Sequence, residues 1–419
     1  MSSNNKKAII IGAGMNGLAT AWHLQEYGYD VEVIDRNGVA AGSSWGNAGY
    51  LTPAEALPLA ETSLWSYGPQ ALLDPSEALA VPPRWDPRLW LFFGRFMAHA
   101  TPRGWERAMS RLAPINREAL AAYDELVAGG VQEQTHEVPF VIALQDDSAA
   151  DDFLSTVKAV RVHGINAPVK EVSLDEAREH APILSENAKR TMLLGDQRYI
   201  EPGHFVRALA NSVEERGGVI RSGVAVADVK STRKPSVKLE TGEWLDADDV
   251  VIATGAWLQE LARELGVTAP VKGGRGYSFS VAVDEPVTSP VYMPGLNVAC
   301  TPYEDRFRVT GVMEFRGPDE AFQPARIDAI VTTASPMFRG IDWDSREDEW
   351  VGARPVTTDG VPLIGKTKAP HVYTCGGHGM WGVVLGPVSG KLLAKEIATG
   401  ERDDILTPFN PLRGPFGGI

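Results

Sequence analysis

The chain has 419 residues and a formal net charge of −14, from 40 Lys+Arg against 54 Asp+Glu. That length sets a prior of two to three domains with ample core, and the acidic balance disfavours a nucleic-acid partner, which needs positive surface. The 42 glycines and 29 prolines are dispersed rather than periodic, which excludes collagen and low complexity and implies many turns between short elements.

Residues 6–11 form a continuous β-branched run ending in glycine, as a strand buried on both faces does. Residues 16–27 carry Leu18, Ala19, Trp22 and Leu24 at helical spacing, and Gly28 ends the helix. Residues 30–35 (DVEVID) read as a second strand, so the chain opens with a βαβ unit, which requires a parallel sheet. Residues 50–100 read as irregular. Within them, 89–98 (LWLFFGRFMA) is too short to span a membrane and carries Arg95; it reads as a core or interface helix, with a peripheral membrane foot as the alternative. Helices are expected over 105–129, 151–163 and 202–216, and strands over 139–144, 218–229, 237–245 and 249–253. The alternation of 277–315 predicts antiparallel sheet. Residues 372–375 read as a strand, followed by a glycine-rich turn and a helix over 386–399.

The N-terminal apolar run is too short for a signal peptide. Cys300 and Cys375 stand far apart, outside any CxxC, which argues against a disulfide scaffold, a zinc ribbon or a thioredoxin-like pair and fits a reducing compartment. No HExxH occurs among the histidines, so no metal site is expected. The basic residues Arg103, Arg107 and Arg111 at helical spacing read as a solvated face.

The first chemical motif is Gly12-x-Gly14-x-x-Gly17, directly after a strand and opening a helix. The first glycine permits the turn, the second lets a pyrophosphate reach the backbone, and the third lets helix and strand pack closely. Free N–H groups of the helix start then attract the diphosphate. Asp35 ends the second strand, placed for a ribose diol; beside it, Arg36 suits a 2′-phosphate poorly because Asp35 would repel one. Two later segments bear on which dinucleotide binds. Residues 250–257 (VVIATGAW) are a buried strand ending in Ala-Thr-Gly, with Thr254, Gly255 and Trp257 at its end. Residues 376–382 (GGHGMWG) are a glycine cluster leading into a helix, whose positive end can stabilise negative charge on a large flat ligand.

With these segments in view, the chain resembles the FAD-dependent D-amino-acid oxidase superfamily, in its D-amino-acid dehydrogenase-like branch. The matching stretches are IIIGAGMNGLATAWHL, VIDRNGVAAGSSWGNAGYLTP, VVIATGAW, KGGRGYSFS, RFRVTGVMEF, WVGARPVTTDGVPLIG and GGHGMWGVVLGPVSGKLLA, with a tail like LTPFNP. They keep the family's order over nearly the whole chain; residues 55–200 match only loosely. RGYS and the SWGNAG loop are also similar to glyphosate oxidoreductase.

The resemblance implies an α/β fold, with a discontinuous Rossmann-type FAD-binding domain (1–80, 198–268 and 352–411). An α+β substrate domain on an antiparallel sheet takes 81–197 and 269–351, and 412–419 is a tail. It implies non-covalent FAD in contact with Gly12, Gly14, Met15, Asn16, Gly17, Asp35, Arg36, Ser43, Ser44, Asn47, Ala48, Gly49 and Leu51. Further contacts are implied from Val226, Thr254, Gly255, Trp257, Gly379, Met380, Trp381, Gly382 and Val383. Arg354, in a G-x-R-P segment, is the implied carboxylate ligand, which a guanidinium fork suits. Tyr277, His378, Met380 and Asn47 complete the expected substrate site. Where glycine oxidase has a tyrosine and an arginine, this chain aligns Ala299 and Met380, so its carboxylate clamp differs.

The implied reaction is oxidation of the C–N bond of a small amino acid. The primary reading is oxidative deamination of a D-amino or D-imino acid; the alternative is oxidation of a secondary amine such as an N-substituted glycine. No catalytic nucleophile is named, because positioning carries the reaction and the cofactor carries the chemistry. The electron acceptor is oxygen or a quinone or carrier. The expected location is cytoplasmic, with membrane contact at most peripheral. An NAD(P) dehydrogenase would need neither the ATG strand end nor the C-terminal glycine loop. A flavoprotein without turnover would have no use for Arg354.

Overall fold

The computed structural model describes residues 5–65, 79–81, 85–303 and 306–414. Strand β1 (Lys7–Ile11), helix α1 (Met15–Glu26) and strand β2 (Asp30–Asp35) form the expected βαβ unit. β1 pairs in parallel with β2 and with Asp249–Ile252. The six-stranded sheet runs Val219–Ser222, β2, β1, Asp249–Ile252, Val372–Gly376, Leu363–Lys366. Only its last edge strand is antiparallel. The strands' apolar runs follow from burial by helices on one side and a three-stranded meander on the other.

The C-terminal helix Gly382–Thr399 lies against α1. Gly390 makes this approach possible: a Cβ there would stand 2.6 Å from the backbone nitrogen of Thr20. Helix Pro102–Ala128 packs on the same core through Leu112, Ile115, Ala119, Tyr123 and Leu126.

The second large sheet has nine strands. Its order is Ile341–Thr357, Val271–Val283, Arg306–Phe315, Val298–Tyr303, Val291–Met293, Phe140–Leu144, Arg190–Leu194, Val169–Val172, with Leu79–Ala80 beside Arg306–Phe315. It is mostly antiparallel, as expected, but two pairings are parallel: Val291–Met293 with Phe140–Leu144, and Leu79–Ala80 with Arg306–Phe315.

Several local expectations are corrected. Residues 50–100 are not uniformly irregular: they contain the 3-10 turn Pro53–Glu55 and helix Pro87–His99. Asp86 caps that helix by accepting from the nitrogens of Arg88 and Leu89. Residues 66–78 and 82–84 of this stretch, 1–4 at the N-terminus and 415–419 of the expected tail lie outside the described residues. The helix expected from 105 starts at Pro102, where Thr101 caps it. The strand expected over 237–245 is two, Pro235–Leu239 and Trp244–Asp246, because Gly242 turns the chain at φ 93°. Helices Leu174–His180 and Pro324–Ala334 had no clear periodic signal. Among the described residues no helix is long and apolar enough to cross a membrane.

Candidate functional site

Two cavities adjoin at Asn47, Arg354 and Met380, which line both. The first follows the carboxyl end of the parallel sheet, where ligands of open α/β sheets sit. Gly12, Gly14, Met15 and Asn16 form one side, at the start of α1. Gly379, Gly382 and Val383 come from the start of the C-terminal helix, so two positive helix ends face this cavity. Gly12 has φ 117° and lies against Ala253, whose carbonyl oxygen would stand 2.5 Å from a Cβ. A Cβ on Gly17 would stand 1.9 Å from the Gly12 carbonyl oxygen. Gly17 therefore acts through packing and does not line the cavity.

Asp35 is held at the cavity by donors from two turns: the nitrogens of Asn37 and Gly38 in its own turn and that of Ala13 in the glycine turn all bond its carboxylate. At the far end, Val226 and Trp257 line the wall, and the Arg36 guanidinium lies 4.3 Å over the Trp257 ring. Arg36 and the Trp257 indole nitrogen share Asp319, each at 2.8 Å. Ser43, Ser44, Thr254 and Gly255 also belong to this lining. Val224, Glu240, Glu260 and Leu261 also face it, and the sequence reading had missed them. Asn16 Oδ1 and Thr254 Oγ1 are buried without a hydrogen-bond partner among the described residues. An elongated cavity with orphaned polar atoms, two helix starts and a terminal carboxylate fits an extended dinucleotide.

Residues 43–49 link the two sheets. Ser278 Oγ donates to the Gly46 carbonyl at 2.8 Å, and the Tyr303 hydroxyl donates to that of Ala48 at 3.0 Å. Ser43 Oγ donates to the Ala353 carbonyl. Gly49, at φ 75°, passes so close to the Ile200 carbonyl oxygen that a Cβ would stand 2.0 Å away. Leu51 is fully buried in the core and lines neither cavity.

The second cavity has a volume of about 910 Å³. Ala48, Asn297, Ala299 and Trp381 line it together with apolar residues of helix Pro87–His99. Trp381 is fixed by donating its indole N–H to the Leu57 carbonyl at 2.6 Å.

Arg354 stands at the junction. It donates from Nη1 to the Val312 carbonyl at 2.9 Å and meets no carboxylate among the described residues. Burial lowers its pKa to about 10, so it remains a cation at neutral pH, with no counter-ion among the described residues. Its seat is made by a bulge. Arg275 pairs with Glu314 and Tyr277 with Gly311, so Gly276 faces both Val312 and Met313. Val312 holds φ 51°, a costly conformation for a β-branched residue.

Two expected substrate ligands are committed elsewhere. Tyr277 is fully buried and its hydroxyl donates to Glu314 at 2.8 Å. Burial, and then that bond, raise its pKa. Tyr277 therefore shapes the strand and lines neither cavity. His378 is also buried: Nδ1 lies 3.1 Å from Asn16 Nδ2, and Nε2 lies 2.9 Å from Ser389 Oγ. Burial lowers its pKa to about 3, which keeps the imidazole neutral. It braces the glycine loop against α1. The motif spacing gave no sign of Glu314, Asn16 or Ser389 as partners.

A family profile described as FAD dependent oxidoreductase (DAO) matches residues 7–396. A D-amino acid dehydrogenase of Methylobacterium sp. (strain 4-46) is 30% identical over 95% of this chain and 96% of its own length. One from Vibrio vulnificus is 28% identical over 95% and 97%. Among solved structures, glycine oxidase from Geobacillus kaustophilus superposes with a TM-score of 0.74 at 20% identity, covering 98% of this chain and 99% of that one. Iminodiacetate oxidase from Chelativorans sp. BNC1 gives 0.72 at 18% identity, over 96% and 98%. The profile match over nearly the full length and the site built from its motifs together place this chain in the DAO family of FAD-dependent oxidoreductases.

Proposed function

We propose that the protein oxidises the C–N bond of a D-amino or D-imino acid, with FAD held non-covalently along the first cavity and substrate in the second. The observation that carries this reading is Arg354, a cation with no counter-ion among the described residues where the two cavities meet. A bidentate substrate carboxylate would neutralise it. Residues 1–80, 198–268 and 352–411 would form the cofactor domain, and 81–197 and 269–351 the substrate domain.

When bound, FAD supplies the hydride acceptor. Gly12, Gly14 and the start of α1 would hold its pyrophosphate, and Asp35 its ribose diol. Arg354 would fix the substrate carboxylate and so aim the Cα–H bond. The lone pair of the neutral amine becomes the C=N bond as hydride leaves Cα; water then hydrolyses the imine of a primary amine to the oxo acid and ammonia, while a ring amine leaves as the cyclic imine. Positioning carries this step. Met380 and Asn47, on both cavities, would flank the reacting atoms. The full-length similarity to D-amino acid dehydrogenases supports D-amino acids over the secondary-amine alternative. The electron acceptor in this reading is oxygen or a quinone or carrier, and the location is cytoplasmic, with membrane contact at most peripheral.

The test is anaerobic titration of the flavin-loaded protein with D-amino acids, D-proline and N-methylglycine, followed by visible absorbance. Bleaching of the oxidised-flavin band by D-amino acids supports the reading. Bleaching by N-methylglycine alone moves it to secondary amines, and a band that no compound bleaches overturns it.

A further inference from the structure

The second cavity contains a buried carboxyl group that the proposed reaction does not use. Glu55 ends the 3-10 turn Pro53–Glu55, lines this cavity and is 7% exposed. Its carboxyl has no hydrogen-bond or ion-pair partner among the described residues. The turn is fixed from several sides. Asn116 Nδ2 donates to the Ala56 carbonyl at 2.9 Å, and Trp381 donates to that of Leu57, two residues on from Glu55. Glu61, also on the cavity, adds a second carboxyl nearer to solvent.

A buried carboxyl in a ligand cavity has two stable conditions: protonated, or paired with a cation. The surroundings suit a particular cation. Leu57, Leu59, Phe93, Phe96, Met97 and Tyr292 give apolar walls along the cavity. Such walls favour an aliphatic stem and leave its charged end to the carboxyl. At about 910 Å³ the cavity far exceeds what a two- or three-carbon amino acid fills. Arg354 supplies the opposite charge at the junction with the first cavity.

We infer that Glu55 is a specificity residue that receives the distal cation of a basic amino acid, with a methylene stem along the apolar wall and the α-carboxylate on Arg354. The inference rests on the reading of Arg354 as the carboxylate site. A second carboxylate on the substrate would find no cation to pair with at Glu55 or Glu61, so acidic and iminodiacid substrates are disfavoured. Burial pushes the Glu55 carboxyl up to about 8, with Glu61 adding to the shift. Binding of the cation would therefore release a proton near neutral pH.

Two measurements on the flavin-loaded protein test this. In the first, kcat/KM is compared for D-arginine, D-lysine and D-norleucine, in the parent and in Glu55→Gln. The expected result is a preference for the basic substrates of about 100-fold, carried by KM and lost in Glu55→Gln, while D-norleucine changes only a few-fold. An equal loss for all three would assign Glu55 to the α-ammonium and overturn the inference. In the second, calorimetry compares 5-guanidinopentanoate with hexanoate, neither of which has an α-amine to oxidise. Tighter binding of the guanidino acid, abolished by Glu55→Gln, supports the inference even if no amino acid is turned over, in which case only the reaction reading falls. Equal binding of both acids overturns the inference whatever the turnover.

Discussion

The guanidinium of Arg354 lies against the α-carbon of Gly276: a Cβ at that glycine would stand 2.1 Å from Nη2 and 2.2 Å from Cζ. The two residues occupy neighbouring strands, where Gly274 pairs with Arg354 and Gly276 with Gly352. The glycine is thus the floor beneath the Arg354 guanidinium, the proposed carboxylate site. Gly276→Ala should push the guanidinium out of line and lower kcat/KM about 100-fold, since a misplacement near 1 Å costs that much. Flavin content, read from absorbance per protein, should stay at the parent value.

Arg354→Lys keeps the charge and removes the fork. Loss of bidentate geometry at a desolvated site should cost about 10²–10³-fold in kcat/KM. Steady-state kinetics would check this, together with weaker inhibition by simple carboxylates such as propionate. Unchanged carboxylate inhibition would remove Arg354 from the substrate site.

Gly17→Ala tests the cofactor site from behind. Its Cβ would meet the Gly12 carbonyl oxygen at 1.9 Å, so either α1 or the glycine turn must shift. The expected product is a folded protein purified with little flavin, colourless by visible absorbance and native by circular dichroism.

Acid should destabilise the fold through two neutral histidines. His23 and His378 both have pKa values lowered to about 3, first by burial, and for His23 also by Lys391 and Arg216. The unfolded chain binds these protons near pH 6.5, so stability is full above 6.5 and falls as pH drops towards 3. Each contributes at most about 5 kcal/mol to that loss. Thermal melts from pH 7 to 4 should show it, and His23→Phe should flatten the slope.

Glu55 gives the opposite limb. Its folded pKa near 8 exceeds the ordinary 4.5, so its contribution is intact below 4.5 and is lost as pH rises through 8. Glu61 and Tyr292 are the titratable groups that face it. In melts without substrate, Glu55→Gln should gain stability over the parent as pH rises from 5 to 8.5.

What could be read from sequence was what the backbone alone demands. Gly12, Gly14 and Gly17 between strand and helix, Asp35 at a strand end, and the turn after Asp249–Ile252 each carry their geometry in local spacing. What could not be read depends on partners far along the chain. The RGYS motif puts Tyr277 next to Gly276, but only the pairing with Arg306–Phe315 shows that its hydroxyl belongs to Glu314. His378 similarly looks like a substrate ligand until Asn16 and Ser389 take both ring nitrogens. Glu55 lies in a short turn without periodicity, and Val312 adopts a left-handed conformation that valine's own preferences oppose.

The anchoring of residues 43–49 bears on how the molecule comes apart. This segment follows β2 of the parallel sheet, yet Ser278, Thr301 and Tyr303 of the other sheet hold its carbonyls. Neither sheet can lose its order without releasing bonds that the other supplies. Unfolding should therefore be one cooperative transition, with the denaturant curves from tryptophan fluorescence and far-ultraviolet dichroism superimposing.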